Sequence, residues 1–477
     1  MRQLLHGIDR LYTCDATDTV IDDAHVIVEG DRIAAIGAGR PEGAFDHVED
    51  LSGCLVVPGL VNLHHHFFQT LTRAIPATLR GHLMDWLAAM YPIWSGMTPE
   101  DLAAATEASV AQLLLTGATT TLDHSYHLPR ADPAYVAAEL AAAAAMGIRL
   151  ELIHGSITAL EGDLEVRLTP ILGPAAGGLV SDAATTLAAM RHSLATHHQT
   201  GPGAMVRIGL GPTTTTYDDP AFMRDVARLA EEAQCLLHTH CHPRPDERAT
   251  CEALGTTPFA FLRDAGWLTP RTLIAHGTRI RPEEMALLAA HGAALAHCPR
   301  MLLRLGARVT PVHTMRAAGM RVGIGVDGGA SNDSGSMLGE LRIAHLMHRV
   351  AGGEGTVDWQ DWLSPYQSLC MATREAAAIL GRDDIGRIAP GLCADLAAFR
   401  MTGAAYAGAR SDPLSGLLLA GDDDRAWLVM VAGRVLVRAR ALTMADEDAI
   451  GARTDAATAR LIDRAAGLTG IDYHRPA

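Results

Sequence analysis

Cys54-Leu-Val-Val-Pro-Gly-Leu-Val-Asn-Leu-His-His-His66 is an apolar run that stops at three histidines. A short apolar run of this kind suits a strand buried in a core, with polar residues where the chain emerges. The same event recurs along the sequence. The runs Ala118–Leu122, Ile148–Ile153, Val206–Leu210, Cys235–Leu237, Thr272–Ala275, Ala293–Ala296 and Arg321–Val326 are followed in turn by seven polar groups. These are Asp123-His124, His154, Pro212 with Thr213 to Thr216, His238-Thr-His240 with His242, His276, His297 and Asp327. Counting Cys54–Val61 as the first, seven of the eight runs end in a histidine or an aspartate. Scattered histidines would have no reason to choose that edge.

Between the runs lie amphipathic stretches rich in Ala, Leu and Glu, such as Pro99–Leu115, Ala221–Ala233 and Pro282–Ala290. Eight strands alternating with helices predict an α/β fold, a (β/α)8 TIM barrel, whose chemistry sits at the carboxyl ends of its strands. Outside the barrel the pattern changes. His25-Val-Ile-Val-Glu-Gly-Asp-Arg-Ile alternates around a Gly-Asp turn, and Trp427-Leu-Val-Met-Val-Ala-Gly-Arg-Val-Leu-Val does the same around Gly-Arg. Both read as hairpins. Chain ends often lie close together, so these segments predict one small β-sandwich domain built from both ends. The expected division is 1–56 and 384–440 for that domain, 57–383 for the barrel and 441–477 for a helical tail. Phe67 to Met97 is long for a βα loop and carries Trp86, Tyr91 and Trp94, so it is a candidate lid or substrate wall.

Spacing narrows the chemistry. Residues i and i+2 of a strand point the same way, so His64 and His66 project together while His65 points away, and His238 and His240 share a direction. Neutral imidazoles bind zinc at about 2.0–2.1 Å, and a carboxylate such as Asp327 completes a mixed site. A metal at such a site lowers the pKa of a bound water from 15.7 to about 7. Any one of these histidines could be a packing residue; the argument rests on their shared position at the strand ends.

Composition removes other classes. The 477 residues are 48% apolar and 19% charged, which excludes a disordered or fibrous chain. A net charge of −15 opposes nucleic-acid binding. Asp9 and Arg10 interrupt any signal-peptide core, and no apolar run is long enough to span a membrane. Eight cysteines without a Cys-x-x-Cys pair suit a reducing, cytoplasmic setting. Symmetric dimers are the commonest assembly, so a homodimer is expected.

Pro58-Gly-Leu-Val-Asn-Leu-His-His-His66, His240, His276-Gly and Gly325-Val-Asp-Gly-Gly-Ala-Ser-Asn332 together resemble the amidohydrolase superfamily. Within it they resemble the cytosine/guanine-deaminase-like branch, which carries one metal. The likeness extends through Gly386-Arg-Ile-Ala-Pro-Gly-Leu-Cys-Ala-Asp395. His64-His-His-Phe-Phe-Gln-Thr-Leu-Thr-Arg73, with Leu87–Trp94 beyond it, is similar to the hydroxyatrazine-hydrolase and 8-oxoguanine-deaminase group. The resemblance implies that His64, His66, His240 and Asp327 hold one divalent metal, zinc or else iron. It implies that His276 polarises the substrate, that Asp327 also accepts the proton of the attacking water, that Gln69 and Arg73 contact the substrate and that His297 lines the pocket; His154, at the end of the third run, is a further candidate substrate contact.

This chain departs from the pattern at two places. Deaminases of the branch carry a glutamate three residues after the fifth-strand histidine, where this chain has Pro243. Amide anion does not leave at neutral pH, so deamination needs a proton donor; His242, Asp246 and Glu247 are the neighbouring candidates. After Pro299, Arg300-Met-Leu-Leu-Arg304 replaces the usual Ser-Asn, which predicts a different pocket. The expected function is a metal-dependent hydrolase using metal-bound hydroxide to displace an amino group from a purine, pterin or triazine-like heterocycle. The alternatives are removal of a halide or alkylthio group, opening of a cyclic amide or imine by the same site, and a metal-binding barrel without turnover.

Overall fold

A computed structural model describes residues 1–160, 162–173, 179–215, 218–351, 355–421 and 423–475. Thr216, in the threonine run after the fourth strand, lies outside these residues.

Eight parallel strands form the barrel wall in chain order. They are Leu60–Asn62, Ala118–Ser125, Arg149–Ser156, Val206–Pro212, Leu237–Cys241, Thr272–His276, Ala294–His297 and Arg321–Ile324. Each neighbour pairs with the next. The Leu63 N–H donates to the Ile324 carbonyl at 3.0 Å and the Asp327 N–H to the His64 carbonyl at 2.8 Å, which draws the last strand against the first. Helices Pro99–Leu115 and Pro282–Ala290 have the bounds expected from their periodicity.

The run from Cys54 is not one strand, as its composition suggested. Cys54–Pro58 belongs to the second sheet, pairing with Leu396–Arg400 and Arg2–Tyr12, and Leu60–Asn62 alone enters the barrel. Gly59 makes the change of sheet possible, because a Cβ there would lie 2.1 Å from the Thr119 hydroxyl. The second sheet is mixed and nine-stranded, with Arg2–Tyr12 near its middle and the strands Leu428–Val431 and Arg434–Arg438 towards the far edge. Residues from both wings, including Leu5, Val26, Leu396 and Met430, share one buried cluster, so the sheet encloses a core of its own. Leu461 and Ala465 of the tail helix Glu447–Thr469 are buried in the main core. Among the described residues no helix is long and apolar enough to cross a membrane.

Candidate metal centre

His64 and His66 follow the first strand, beyond its last paired residue Asn62. The Asn62 amide oxygen accepts the Val326 N–H at 2.9 Å, which locks the loop carrying the histidines to the one carrying Asp327. His238 and His240 sit inside the fifth strand, His276 ends the sixth, and Asp327 follows the eighth. Asp327 has a left-handed backbone (φ 68°), and Gly328-Gly329 follows it. A Cβ on Gly328 would lie 1.9 Å from Gln69 Oε1, and one on Gly329 2.6 Å from the Thr70 hydroxyl. The glycines therefore let the segment after the first strand lie directly over the aspartate.

Four side-chain atoms converge. His64 Nε2 is 3.2 Å and His66 Nε2 3.3 Å from Asp327 Oδ1, and His66 Nε2 is 3.0 Å from His240 Nε2. Burial pushes all three imidazoles below the usual histidine range, with the neighbouring histidines pushing His64 further, so they are neutral at pH 7. Their partners then decide the tautomers. Carbonyl oxygens only accept, so the Nδ1–H of His66 donates to the His124 carbonyl (2.8 Å) and that of His240 to the Thr213 carbonyl (2.6 Å). His238 Nδ1–H donates to the Leu273 carbonyl (2.9 Å), so its Nε2 is bare and accepts from His64 Nδ1–H (2.8 Å). Each ring therefore turns a bare Nε2 lone pair to one centre beside a carboxylate.

Bare lone pairs 3.0 Å apart repel, and His64 Nε2 has no hydrogen-bond partner. A cation removes both costs. Zinc at 2.0–2.1 Å in tetrahedral geometry would separate its ligand atoms by roughly 3.3 Å, close to the spacings seen. The donor set thus fits a divalent metal. His64, His124 and His238 also cluster, but His64 spends its Nδ1–H on His238 and His124 Nε2–H on the Gly211 carbonyl (2.7 Å), so that trio supports rather than ligates. Burial would raise the Asp327 carboxyl, but His276, His66 and His240 outweigh it and hold Asp327 below the usual carboxylate range.

A cavity opens above this centre. His276 lies against it, its ring stacked between His240 (5.4 Å, 11°) and His242 (4.6 Å, 17°). Gln69, His242 and His276 line the cavity. Three other expected contacts do not. Arg73 donates to Gln112 Oε1 at 2.6 Å, His154 Nδ1 meets the Ser193 hydroxyl at 2.9 Å, and His297 is buried behind the wall. A strand-end position says nothing of which way a long side chain turns, and these three turn into the surrounding helices and core.

Of the three possible proton donors near Pro243, only His242 reaches the cavity. Asp246 makes a bidentate pair with Arg244, and buried Glu247 accepts the Arg244 backbone N–H at 2.9 Å. The predicted wall is present: Leu83, Trp86, Leu87 and Tyr91 of helix Leu83–Trp94 face the cavity, while Trp94 packs behind them. Met301, from the unusual segment after Pro299, and Leu305 complete the apolar side. Tyr126, Arg244 and Ser331 also line it and were not singled out from sequence. Only Tyr126 carried a signal, lying two residues beyond His124 at a strand end.

Comparison with known proteins agrees with this geometry. The chain is 38% identical over 444 residues to an 8-oxoguanine deaminase of Pseudomonas aeruginosa, covering 92% of this chain and 94% of the relative. It is 31% identical to hydroxydechloroatrazine ethylaminohydrolase of Pseudomonas sp. strain ADP, covering 96% and 95%. Its fold superposes on the zinc complex of an atrazine chlorohydrolase from Arthrobacter aurescens TC1 with a TM-score of 0.88 at 32% identity, covering 96% of this chain and all of that one. A family model described as "Amidohydrolase family" matches residues 55–436. A barrel whose strand ends gather these imidazoles, together with likeness along nearly the whole length, places the chain in the amidohydrolase family.

Proposed function

We propose that this protein is a metal-dependent aminohydrolase that replaces an amino group on a planar N-heterocycle with oxygen, releasing ammonia. The observation that carries the reading is the set of bare Nε2 atoms of His64, His66 and His240 facing Asp327 at the floor of a cavity with an aromatic wall. The relatives' activities on ring-bound substituents support it. In this reading His64, His66, His240 and Asp327 hold one divalent ion, zinc before iron. Such an ion supplies an activated water by lowering its pKa. Asp327, facing the imidazoles through Oδ1, would hold the proton given up by water on its other carboxylate oxygen. His276 faces the ring and polarises the bond under attack. His242, which burial keeps neutral, would relay to the departing nitrogen the proton that Asp327 holds, because that nitrogen cannot leave as amide anion. The setting is cytoplasmic, in keeping with eight buried, unpaired cysteines, and the assembly is a homodimer.

Pro243 favours a second reading. With no carboxylate from that loop in the cavity, the same site suits substituents that leave unprotonated, such as halide or alkylthiolate, or a cyclic amide. Elemental analysis followed by a panel of amino-, chloro- and methylthio-substituted purines, pterins and triazines separates the readings. Ammonia marks the first, and chloride or thiol the second. Bound metal with no product from any ring would refute both.

His242→Ala should slow ammonia release by about 10²–10⁴-fold and spare chloride release. A rate on amino rings equal to the parent's would remove His242 from the proton path. His238→Phe should weaken metal binding by about 10–100-fold, because His64 loses the partner that sets its tautomer. Metal titration of the purified protein reads this directly, and unchanged affinity would refute the supporting role.

A further inference from the structure

Another cavity, of about 370 Å³, lies at the end of the barrel away from the metal centre, and it is large enough for a small metabolite. Glu151 and Arg207, near the starts of the third and fourth strands, line it, as do Leu236 and Pro270 just ahead of the fifth and sixth. Ile379 and Leu380, at the end of helix Arg374–Ile379, close one side.

Glu151 shares a strand face with Ile153, which is buried in one cluster with Leu236, Ile379 and Leu380. It is 5% exposed and forms no hydrogen bond or ion pair among the described residues. The exposure it keeps is to this cavity, and its carboxylate oxygens share it. Burial pushes the Glu151 carboxyl up to about 7, against the pull of Arg207 and Arg382. Arg207 is its cross-strand neighbour, paired with it in register. Among the described residues Arg207 has no carboxylate partner, and its polar contact is a 3.4 Å approach to the Gly381 carbonyl. The other charged and titratable groups at this end are engaged. Arg382 holds Asp384 through two nitrogens, Arg271 donates to Gln234 Oε1 at 3.1 Å, and His198 Nδ1 accepts the Ile208 N–H at 2.9 Å.

One carboxyl group and one guanidinium thus stand side by side at the cavity wall, about 4.8 Å apart at the backbone, without pairing. Buried charges without partners are unfavourable, so a ligand that brings the opposite charge to each is stabilised. An α-amino acid presents an ammonium and a carboxylate on a single carbon, which matches two adjacent charges of opposite sign. Leu236, Pro270, Ile379 and Leu380 leave an apolar side for its side chain. We propose that this cavity binds an α-amino acid with an apolar side chain, its ammonium on Glu151 and its carboxylate on Arg207. The site is separate from the proposed reaction and does not depend on it.

Calorimetry of the metal-loaded protein with L-leucine, L-isoleucine, L-valine, L-methionine and L-phenylalanine tests this. At least one is expected to bind with a dissociation constant below about 1 mM. The matched acid without the amino group and the matched amine without the carboxylate should each bind at least about 10-fold more weakly. For leucine these are 4-methylpentanoate and 3-methylbutylamine. Glu151→Gln, which keeps the shape and removes the charge, and Arg207→Met should each weaken binding by about 10–100-fold. Metal content and unfolding temperature near the parent's show that a variant is folded, and either variant suffices if the other does not fold. Turnover per folded molecule should be unchanged, because neither residue belongs to the metal centre. No binding below about 1 mM by any of the five, a half-ligand as tight as its amino acid, or the parent's affinity in a folded variant would overturn the proposal.

Discussion

Asp327→Ala is expected to lower turnover by about 10⁴-fold or more and to leave a protein that purifies with little metal. The aspartate has two tasks at the proposed centre. It is the one anionic member among three neutral imidazoles, and it is the group placed to take a proton from water. Asp327→Asn separates them, because an amide keeps the shape and can still ligate through oxygen but cannot act as a base. It should retain more metal than Asp327→Ala yet be equally inactive. His66→Ala should lose metal and turnover together, since the His66 Nε2 lies within 3.3 Å of both His240 Nε2 and Asp327 Oδ1. Full activity in a variant shown by elemental analysis to be metal-free would refute the mechanism.

Arg149→Met is expected to destabilise the fold by about 3–5 kcal/mol with little effect on turnover per folded molecule. Arg149 begins the third barrel strand, at the end opposite the metal centre. Arg149 and Asp395 are each 1% exposed, with Nε to Oδ2 at 2.5 Å and Nη2 to Oδ1 at 3.1 Å. The guanidinium also donates to the Gly203 carbonyl at 2.6 Å, and Asp395 Oδ1 accepts the Ala432 N–H at 2.7 Å. The pair therefore ties the barrel to the hairpin of the second sheet. Removing the cation strands a buried carboxylate, which costs more than the pair contributes. Replacing both, as Arg149→Met with Asp395→Leu, should recover part of the loss. Chemical denaturation of the single and double variants measures this. A single variant within about 1 kcal/mol of the parent would show that water or another cation already serves Asp395.

The barrel was legible because its evidence is local. Strand and helix periods, and the polar residues that stop each run, lie within a few positions of one another, as in Leu237–Cys241 with His238 and His240. The candidate ligands were legible for the same reason. A histidine pair at spacing two needs only strand parity to share a direction. Gly59 was the local failure: nothing nearby in sequence says that Cys54–Pro58 and Leu60–Asn62 serve different sheets, because the residue that leaves no room for a side chain there, Thr119, is distant in sequence.

The amino-acid order by itself thus determined an alternating α/β chain with imidazoles and a carboxylate at one rim, since hydrogen-bonded periodicity and side-chain alternation act over a few residues. Only the tertiary structure decided which imidazoles turn a bare nitrogen inward and which merely hold them. It also decided that Arg73, His154 and His297 do not line the cavity, and that Trp86 and Gln69 do. Those outcomes depend on carbonyls and packing surfaces tens to hundreds of residues distant, such as Leu273 for His238 and Gly328 for Gln69, which meet only when the barrel closes.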